Sequence, residues 1–147
     1  MRASDLMVDY PAVALTDLAL DAARLLAGSD LPGLIVLNER GAPFAVLAST
    51  QVLRLAVPIY CQDDPALARV IDEAAADVFL SELGGRTVRE CLPRQPQEMP
   101  VVDPDATVLQ VAALMARTRS PLVAVVDHGV LRGAITLDRL LDQVLAQ

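Results

Sequence analysis

The sequence predicts an α+β fold made of two copies of one β-α-β-β-α unit. An internal repeat is the first reason: the stretches Leu20–Ala27 and Pro32–Leu37 recur 89 positions later as Leu109–Ala116 and Pro121–Val126. The second reason is that each copy holds two short apolar runs on either side of a glycine-containing turn, a pattern typical of a buried hairpin. A unit used twice favours two equivalent lobes packed about a pseudo-twofold axis, with a cleft between them.

Each copy begins with a short polar turn, followed by a strand and a helix. Thr87 and Glu90 have the spacing of a capping box, which predicts a brief helix at the start of the second copy. Apolar residues recur at helical spacing after Thr16-Asp17 and after Asp103-Pro104-Asp105, which carry the polar chemistry that opens helices. The predicted opening turns are Ser4–Met7 and Thr87–Glu90, and the predicted first strands lie near Ala12–Leu15 and Met99–Val102.

Each copy then continues into a hairpin and closes with an apolar helix. Nearly continuous apolar runs indicate strands that are buried on both faces. Pro58 ends the closing helix of the first copy, because proline cannot continue a helical hydrogen-bond pattern. The predicted hairpin strands are Gly33–Leu37 with Pro43–Leu47 and Leu122–Val126 with Val130–Ile135, and the closing helices are Thr50–Val57 and Leu137–Leu145.

The chain therefore divides into a first repeat (1–57), an inter-repeat segment (58–86) and a second repeat (87–147). In the middle segment, Asp64-Pro65 combines an N-cap with a favourable first-turn proline. An apolar stripe at helical spacing predicts an extra amphipathic helix here, whose apolar face covers either the repeats or a second chain. The stripe consists of Leu67, Val70, Ile71, Ala74, Val78 and Leu83.

Composition excludes several classes of function. The 147 residues are 54% apolar and 3% aromatic, which suits a core of Leu, Val, Ile and Ala. The twelve basic residues, all arginine, face 19 acidic ones, and a net charge of −7 argues against nonspecific binding to nucleic acid or anionic membranes. No apolar run is long enough to cross a bilayer, and Asp5 interrupts the stretch that a signal peptide would need. We expect a cytoplasmic protein without membrane insertion.

Catalytic and metal-binding patterns are weak throughout the sequence. Cys61, Cys91 and the single histidine, His128, lack the spacing of metal ligands, so free thiols and an exposed turn histidine are expected. A Cys91–His128 nucleophilic pair lacks a third orienting group and an oxyanion loop. The sequence predicts no catalytic residue, no metal ligand and no enzymatic activity.

Three motifs in the second copy carry a family resemblance. They are Asp-Ala-Thr-Val-Leu at Asp105–Leu109, Val-Val-Asp-x-Gly at Val125–Gly129 and Gly-x-Ile-Thr at Gly133–Thr136. In this order, within a tandem β-α-β-β-α chain, they make the protein resemble a CBS domain pair, or Bateman module. The resemblance covers both ends of the chain, and the first copy is the weaker match because Ala45 and Ala48 stand where the second copy has Gly133 and Thr136.

The resemblance implies that clefts between the repeats bind an adenosine-containing regulatory ligand such as AMP, ADP, ATP or S-adenosylmethionine, and the sequence identifies no certain cofactor. It also implies a homodimer formed through helices, and regulation of an enzyme, channel or transporter. Flat apolar walls and backbone amides suit an adenine, and a hydroxyl near a helix N-terminus suits a phosphate. The candidate ligand-binding residues are Gly33, Leu34, Gln51, Val102, Leu122, Val123, Thr136 and Arg139.

The sequence departs from the family pattern at one position in each copy. Nucleotide-binding members carry Thr/Ser-x-x-Asp, whose Asp holds the ribose, whereas this chain ends the motif with Arg139 in the second copy and Gln51 in the first. Asp138 lies one residue early, which turns it about 100° away on a helix. Thr136 therefore contacts phosphate or caps the last helix, and Arg139 holds an anion or pairs with Asp138 or Asp142.

Two functions from different classes follow from these patterns. The first is a non-catalytic sensor that binds an adenosine-type nucleotide or a related small anion and signals to a partner protein. The alternative is a ligand-free structural or protein-interaction module, which the missing ribose carboxylates favour.

Overall fold

The computed structural model describes residues 1–29, 31–48, 50–52, 81, 83–96 and 98–146. These residues form a mixed α+β structure with two three-stranded sheets, ordered β1-β2-β3 and β4-β5-β6, which confirms the predicted fold class. The strands are β1 (Ala12–Ala14), β2 (Gly33–Leu37), β3 (Pro43–Ala48), β4 (Val101–Val102), β5 (Leu122–Asp127) and β6 (Val130–Thr136). The helices are α1 (Ala3–Leu6), α2 (Ala19–Ser29), α3 (Val88–Cys91), α4 (Val108–Thr118) and α5 (Leu137–Leu145).

The start of α4 differs from the sequence prediction. The stretch Asp103–Asp105 forms a turn in which the Asp103 side chain accepts a hydrogen bond from the Asp105 amide at 2.9 Å. The helix begins at Val108, where Thr107 is the N-cap. The Gln110 amide donates to the Thr107 hydroxyl at 3.2 Å, and the Thr107 amide donates to the Gln110 side chain at 2.7 Å. This reciprocal pair satisfies two amides at the start of the helix. Asp103 instead accepts from the Asp105 amide, which lies outside the helix.

The β5–β6 hairpin follows its prediction closely. The strands pair antiparallel, with Leu122 opposite Thr136 and Ala124 opposite Ala134. The connecting turn has positive φ at both central positions, 51° at His128 and 78° at Gly129. A two-residue turn with this geometry matches the right-handed twist of the strands, which explains why glycine occupies its second central position.

The chain divides into two compact units, and each combines alternating segments of the sequence. The first unit holds Met1–Ala12, Ile35–Val46 and Gln97–Gln147, and the second holds Val13–Leu34 and Leu47–Pro96. The predicted boundaries at 57 and 86 describe the sequence repeat, whereas each compact unit draws residues from both repeats. Long-range packing therefore exchanges segments between the two copies.

In the first unit, the two faces of β5 lie in two different apolar clusters. Val123 and Val125 face a cluster with residues of α1, α4 and α5, whereas Leu122 and Ala124 face a cluster with Ile35 and other residues of the first hairpin. Alternate residues of a strand point to opposite faces, so a strand with apolar residues at every position can be buried on both sides.

In the second unit, the segment before α3 packs on the segment between β1 and α2. The Ala19 amide donates to the Arg86 carbonyl at 2.9 Å, and the Val88 amide donates to the Asp17 carbonyl at 2.8 Å. Glu90 accepts from the Thr87 amide at 3.3 Å, as the predicted capping spacing requires. The opening turn of the second repeat thus contacts the first repeat.

Several predicted elements lie wholly or partly outside the described residues. Of the closing helix Thr50–Val57, residues 50–52 are described and are helical, and of the inter-repeat helix only 81, 83 and 84 are described, also as helix. The residues between 53 and 80, including Cys61, lie outside. Among the described helices, none is both long enough and apolar enough to span a membrane.

Candidate functional site

Five predicted ligand-binding residues lie on the β4-β5-β6 sheet and the helix that follows it. Val102 ends β4, Leu122 and Val123 begin β5, and Thr136 ends β6, with Arg139 in the first turn of α5. Thr136 pairs with Leu122 across the hairpin, and Val102 pairs with Val125 on the other side of β5. The sheet therefore brings Leu122, Val123, Thr136 and Arg139 to one end of β5, and Val102 lies further along it.

Thr136 and Arg139 form the polar centre of this group. Thr136 is the N-cap of α5, and its hydroxyl accepts a hydrogen bond from the Arg139 amide at 3.2 Å. The capping role predicted as one alternative is therefore present. A hydroxyl that accepts from an amide keeps its own proton, so it can still donate to an anion.

The Arg139 guanidinium has an unexpected partner. Its Nε donates to the backbone carbonyl of Leu6 at 3.3 Å. Within the part of the chain that the structure describes, neither Asp138 nor Asp142 lies within ion-pair distance of it, so the pairing alternative is not what the geometry shows. The side chain is half-buried.

The apolar candidates expose little or no surface. The Leu122 and Val123 side chains are fully buried and enter opposite apolar clusters. Val102 is half-buried and packs against the helical cluster. Leu122 and Val123 have no accessible surface, so in this structure they could act on a ligand only by shaping the surface above them.

The first-repeat candidates lie in the second compact unit. Gly33 opens β2 and is buried, and the neighbouring Leu34 side chain is fully buried. The Gln51 side-chain oxygen accepts from the Ala48 amide at 2.8 Å, so it already serves the end of β3. These three residues share one unit and are described apart from the second-repeat group.

Sequence reasoning missed the N-terminal segment, residues 2–8, as part of the second-repeat site. Val8 and Ala134 exchange two backbone hydrogen bonds, at 2.9 Å and 3.0 Å, which places this segment beside β6. The Ala3 amide donates to the Ala106 carbonyl at 2.8 Å, and Ala3 and Leu6 are fully buried among α4 and α5 residues. The apolar spacing of Ala3 and Leu6 was the only local indication of this packing, and it does not identify the residues against which the segment packs.

Two surface cavities of the first unit lie away from Thr136 and Arg139. One, of about 570 Å³, lies between α4, α5 and Met1. The other, of about 380 Å³, is lined by Val102, Asp103, Gln110 and His128. His128 is 93% exposed, and its Nδ1 lies 2.7 Å from the Asp127 carboxylate. This exposed turn position agrees with the sequence expectation for the only histidine.

Two titratable groups with shifted pKa values, Glu90 and Cys91, lie on α3 in the second unit. The Arg86 guanidinium, 2.9 Å from Glu90, holds the pKa of that carboxyl below its ordinary value, with help from the Thr87 amide. Burial raises the pKa of the Cys91 thiol, and the Glu90 charge adds to the effect. Among the described residues, no three His, Cys, Asp or Glu side chains gather in a metal-binding group.

Comparison with known proteins agrees with this architecture. The CBS domain family model matches residues 89–146. The crystal structure of a CBS domain-containing protein of unknown function from Kribbella flavida is 53% identical, covers 99% of each chain and gives a TM-score of 0.91. Curated protein sequences contain no match.

Two more distant structures share the fold. CBSX2 in complex with AMP is 21% identical, covers 99% of this chain and 96% of its own, and gives a TM-score of 0.67. The CBS domain of a membrane protein from Sphaerobacter thermophilus is 20% identical, covers 97% and 86%, and gives a TM-score of 0.72.

The sheets, the hairpins and the helix that follows Thr136 define an α+β protein with two CBS repeats. With the close Kribbella relative matching over its whole length, the chain belongs to the CBS domain family. Proteins of this family are generally regulatory modules without catalytic activity.

Proposed function

We propose that the protein is a regulatory CBS-pair sensor that binds an adenosine-type nucleotide or a related small anion and signals to a partner protein. The observation that carries the proposal is the junction of β6 and α5, where the Thr136 hydroxyl and the Arg139 guanidinium stand in one helical turn. The AMP complex of CBSX2 supports adenosine ligands within this fold.

The junction suits an anion for three physical reasons. The start of α5 carries the positive end of the helix dipole, which favours negative charge. The Thr136 proton is free to be donated, because the hydroxyl uses only its oxygen as a cap. Arg139 adds a permanent cation whose planar guanidinium presents paired N–H groups that match phosphate oxygens. Leu122 and Val123 would support the wall of the base site from beneath, and Gly33, Leu34 and Gln51 would form the corresponding, weaker site.

Thermal melts with AMP, ADP, ATP, S-adenosylmethionine and inorganic phosphate test the proposal. A ligand at a hundred times its dissociation constant adds about 2.7 kcal/mol to the free energy of unfolding. The variants Thr136→Ala and Arg139→Ala are expected to lose that shift. Thr107→Ala is the matched control, since it removes an equivalent cap from a different helix, α4, and its ligand shift should persist.

The alternative is an interaction module that has lost its ligand. Arg139 and Gln51 at the positions of the family's ribose carboxylate favour it, as does the bond that already ties Arg139 to Leu6. If no member of the panel shifts the melt of the wild-type protein, the sensor proposal is wrong and the interaction module stands. A shift that survives both site variants would move the site elsewhere.

We also propose that the protein is a homodimer formed through an α4–α5 surface. This surface consists of apolar side chains that remain at least 40% exposed: Leu109, Leu137, Leu141, Val144 and Leu145. Leu137, Leu141 and Val144 recur at helical spacing on one face of α5. An apolar stripe of this kind on a surface helix marks an association site, and the family resemblance favours a second copy. The regulated partner and the cytoplasmic location stay predictions.

A further inference from the structure

We infer that the N-terminal segment, residues 2–8, is the conformational element that responds to Arg139. In this inference, drawing the Arg139 guanidinium away from the Leu6 carbonyl, by substitution or by a bound anion, loosens the segment. The structural half of the inference is the effect of the substitution, and the regulatory half is the effect of a bound anion. The regulatory half rests on the proposed function, because it needs an anion at the Thr136–Arg139 junction.

The segment is remote in sequence from everything that holds it. Backbone hydrogen bonds join it to the loop before α4 at two points, Ala3 to Ala106 at 2.8 Å and Ser4 to Pro104 at 3.0 Å. At its other end Val8 pairs with Ala134 of β6. Between these anchors the Arg139 guanidinium of α5 donates a hydrogen bond to the Leu6 carbonyl. Arg139 is thus the only described side chain of α5 that holds the backbone of the segment through a hydrogen bond.

Two uses of the same guanidinium compete. Nε is already donated to Leu6, and an arginine binds a phosphate or carboxylate in a bidentate manner through a pair of its nitrogens. An anion that takes the edge containing Nε removes the donor from Leu6. Coupling between two such events is reciprocal, so loosening the segment would also make Arg139 more available to the anion.

The segment provides its own reporters. The amides of Ala3, Ser4 and Val8 donate to carbonyls of the second repeat, so their hydrogen exchange measures whether the segment is docked. The Ala124 amide, which donates to the Pro100 carbonyl at 2.9 Å, reports on the same unit at a place that the segment does not bond. Exchange that rises at the first three amides and stays constant at Ala124 marks local release.

Amide hydrogen exchange, followed by NMR on the full chain, tests the structural half, that is, whether Arg139 holds the segment in place. In Arg139→Leu, which keeps an apolar stem, the three reporters should exchange roughly tenfold faster, the factor that follows from losing a hydrogen bond to a charged group. Arg132→Leu, which removes an exposed arginine of β6, should leave them unchanged. Equal exchange in wild type and Arg139→Leu, or an equal rise at Ala124, would overturn the inference.

The second half uses the wild-type protein with AMP, ADP, ATP, S-adenosylmethionine or inorganic phosphate as the probe. A probe that shifts the thermal melt should accelerate exchange at Ala3, Ser4 and Val8, and it should have no such effect in Arg139→Leu. Binding without any change at these amides would reject the regulatory half while the proposed sensor function stands. No binding by any probe would reject the sensor function and the regulatory half together, while the substitution result would still decide the structural half.

Discussion

The carbonyl oxygen of Val8 lies only 2.7 Å from the position that a Cβ on Gly133 would occupy. This relationship explains the glycine in the Gly-x-Ile-Thr motif of the second repeat, because the N-terminal segment crosses β6 at that point. The constraint is backbone against side chain, so no rotamer change can relieve it. The Val8 backbone therefore requires a glycine at position 133, more than a hundred residues later in the chain.

Replacing Gly133 with alanine should destabilise the protein. The added methyl must push the Val8 backbone away from Ala134, and overpacking of this kind costs about 1–3 kcal/mol. The measurement is the midpoint of urea unfolding. Gly28→Ala is the matched control, since nothing lies within 4 Å of its Cβ position in α2, and it should stabilise the protein by about 0.5–1 kcal/mol. Equal midpoints for Gly133→Ala and wild type would show that the segment does not cross here.

The cap of α4 is a second test of local structure. Thr107→Ala removes the hydroxyl that accepts from the Gln110 amide, and loss of an N-cap costs about 0.5–2 kcal/mol. The expected result is a lower urea midpoint for alanine and little change for Thr107→Ser, which keeps the hydroxyl. A serine variant as unstable as the alanine variant would assign the effect to lost packing of the threonine methyl group.

The Cys91 thiol should react slowly with thiol reagents in the folded protein. Burial raises its pKa above the ordinary 9.0, with a further contribution from the Glu90 charge, so the reactive thiolate is scarce at neutral pH. The native state therefore holds the proton more tightly than the unfolded chain, and this contribution to stability is present below pH 9.0 and is lost as the pH rises.

The check for Cys91 is labelling with a thiol reagent at pH 8 in a Cys61→Ser background, where Cys91 is the single cysteine. Labelling should be slow in buffer and fast in concentrated urea. Equal rates in the two solutions would contradict the buried position, which also includes a hydrogen bond from Sγ to the Thr87 carbonyl at 3.6 Å.

The α4–α5 surface should control the oligomeric state. Light scattering is expected to give twice the 15.6 kDa mass of the chain for wild type and the single mass for a Leu141→Glu, Leu145→Glu double variant, because burying two carboxylates without partners is costly. Val130→Glu, at an exposed position of β6, should stay dimeric. A wild-type particle of 15.6 kDa at micromolar concentration would reject the dimer.

Local patterns were sufficient for the hairpins and for α5. The strands of the second hairpin match the predicted Leu122–Val126 and Val130–Ile135, and each extends one residue further. This agreement is expected, because apolar runs and a glycine turn specify a hairpin without distant contacts. The start of α4 was misplaced because Asp103 and Thr107 both have capping chemistry. The choice between them depends on Gln110, whose side chain completes the cap only for Thr107.

The candidate site was partly predictable. The sequence identified Thr136 and Arg139 as neighbours on one helical turn, since residues three apart on a helix are adjacent. It could not supply Leu6 as the partner of Arg139, because no rule of spacing relates two residues at opposite ends of a chain. It offered an acidic partner, Asp138 or Asp142, as one alternative for Arg139, and the described structure shows a carbonyl.

The sequence by itself determined the family, the repeated units, the hairpins and the polar pair at the start of α5, because each depends on residues within a few positions of one another. The tertiary structure alone decided which segments pack together: residues 2–8 pack on the second repeat, with Val8 bonded to β6, and Arg86–Arg89 form backbone hydrogen bonds with the first repeat. These pairings arise from backbone hydrogen bonds and buried apolar contacts, which almost any apolar segment of the right length can make. Their partners are therefore set by the folded chain as a whole.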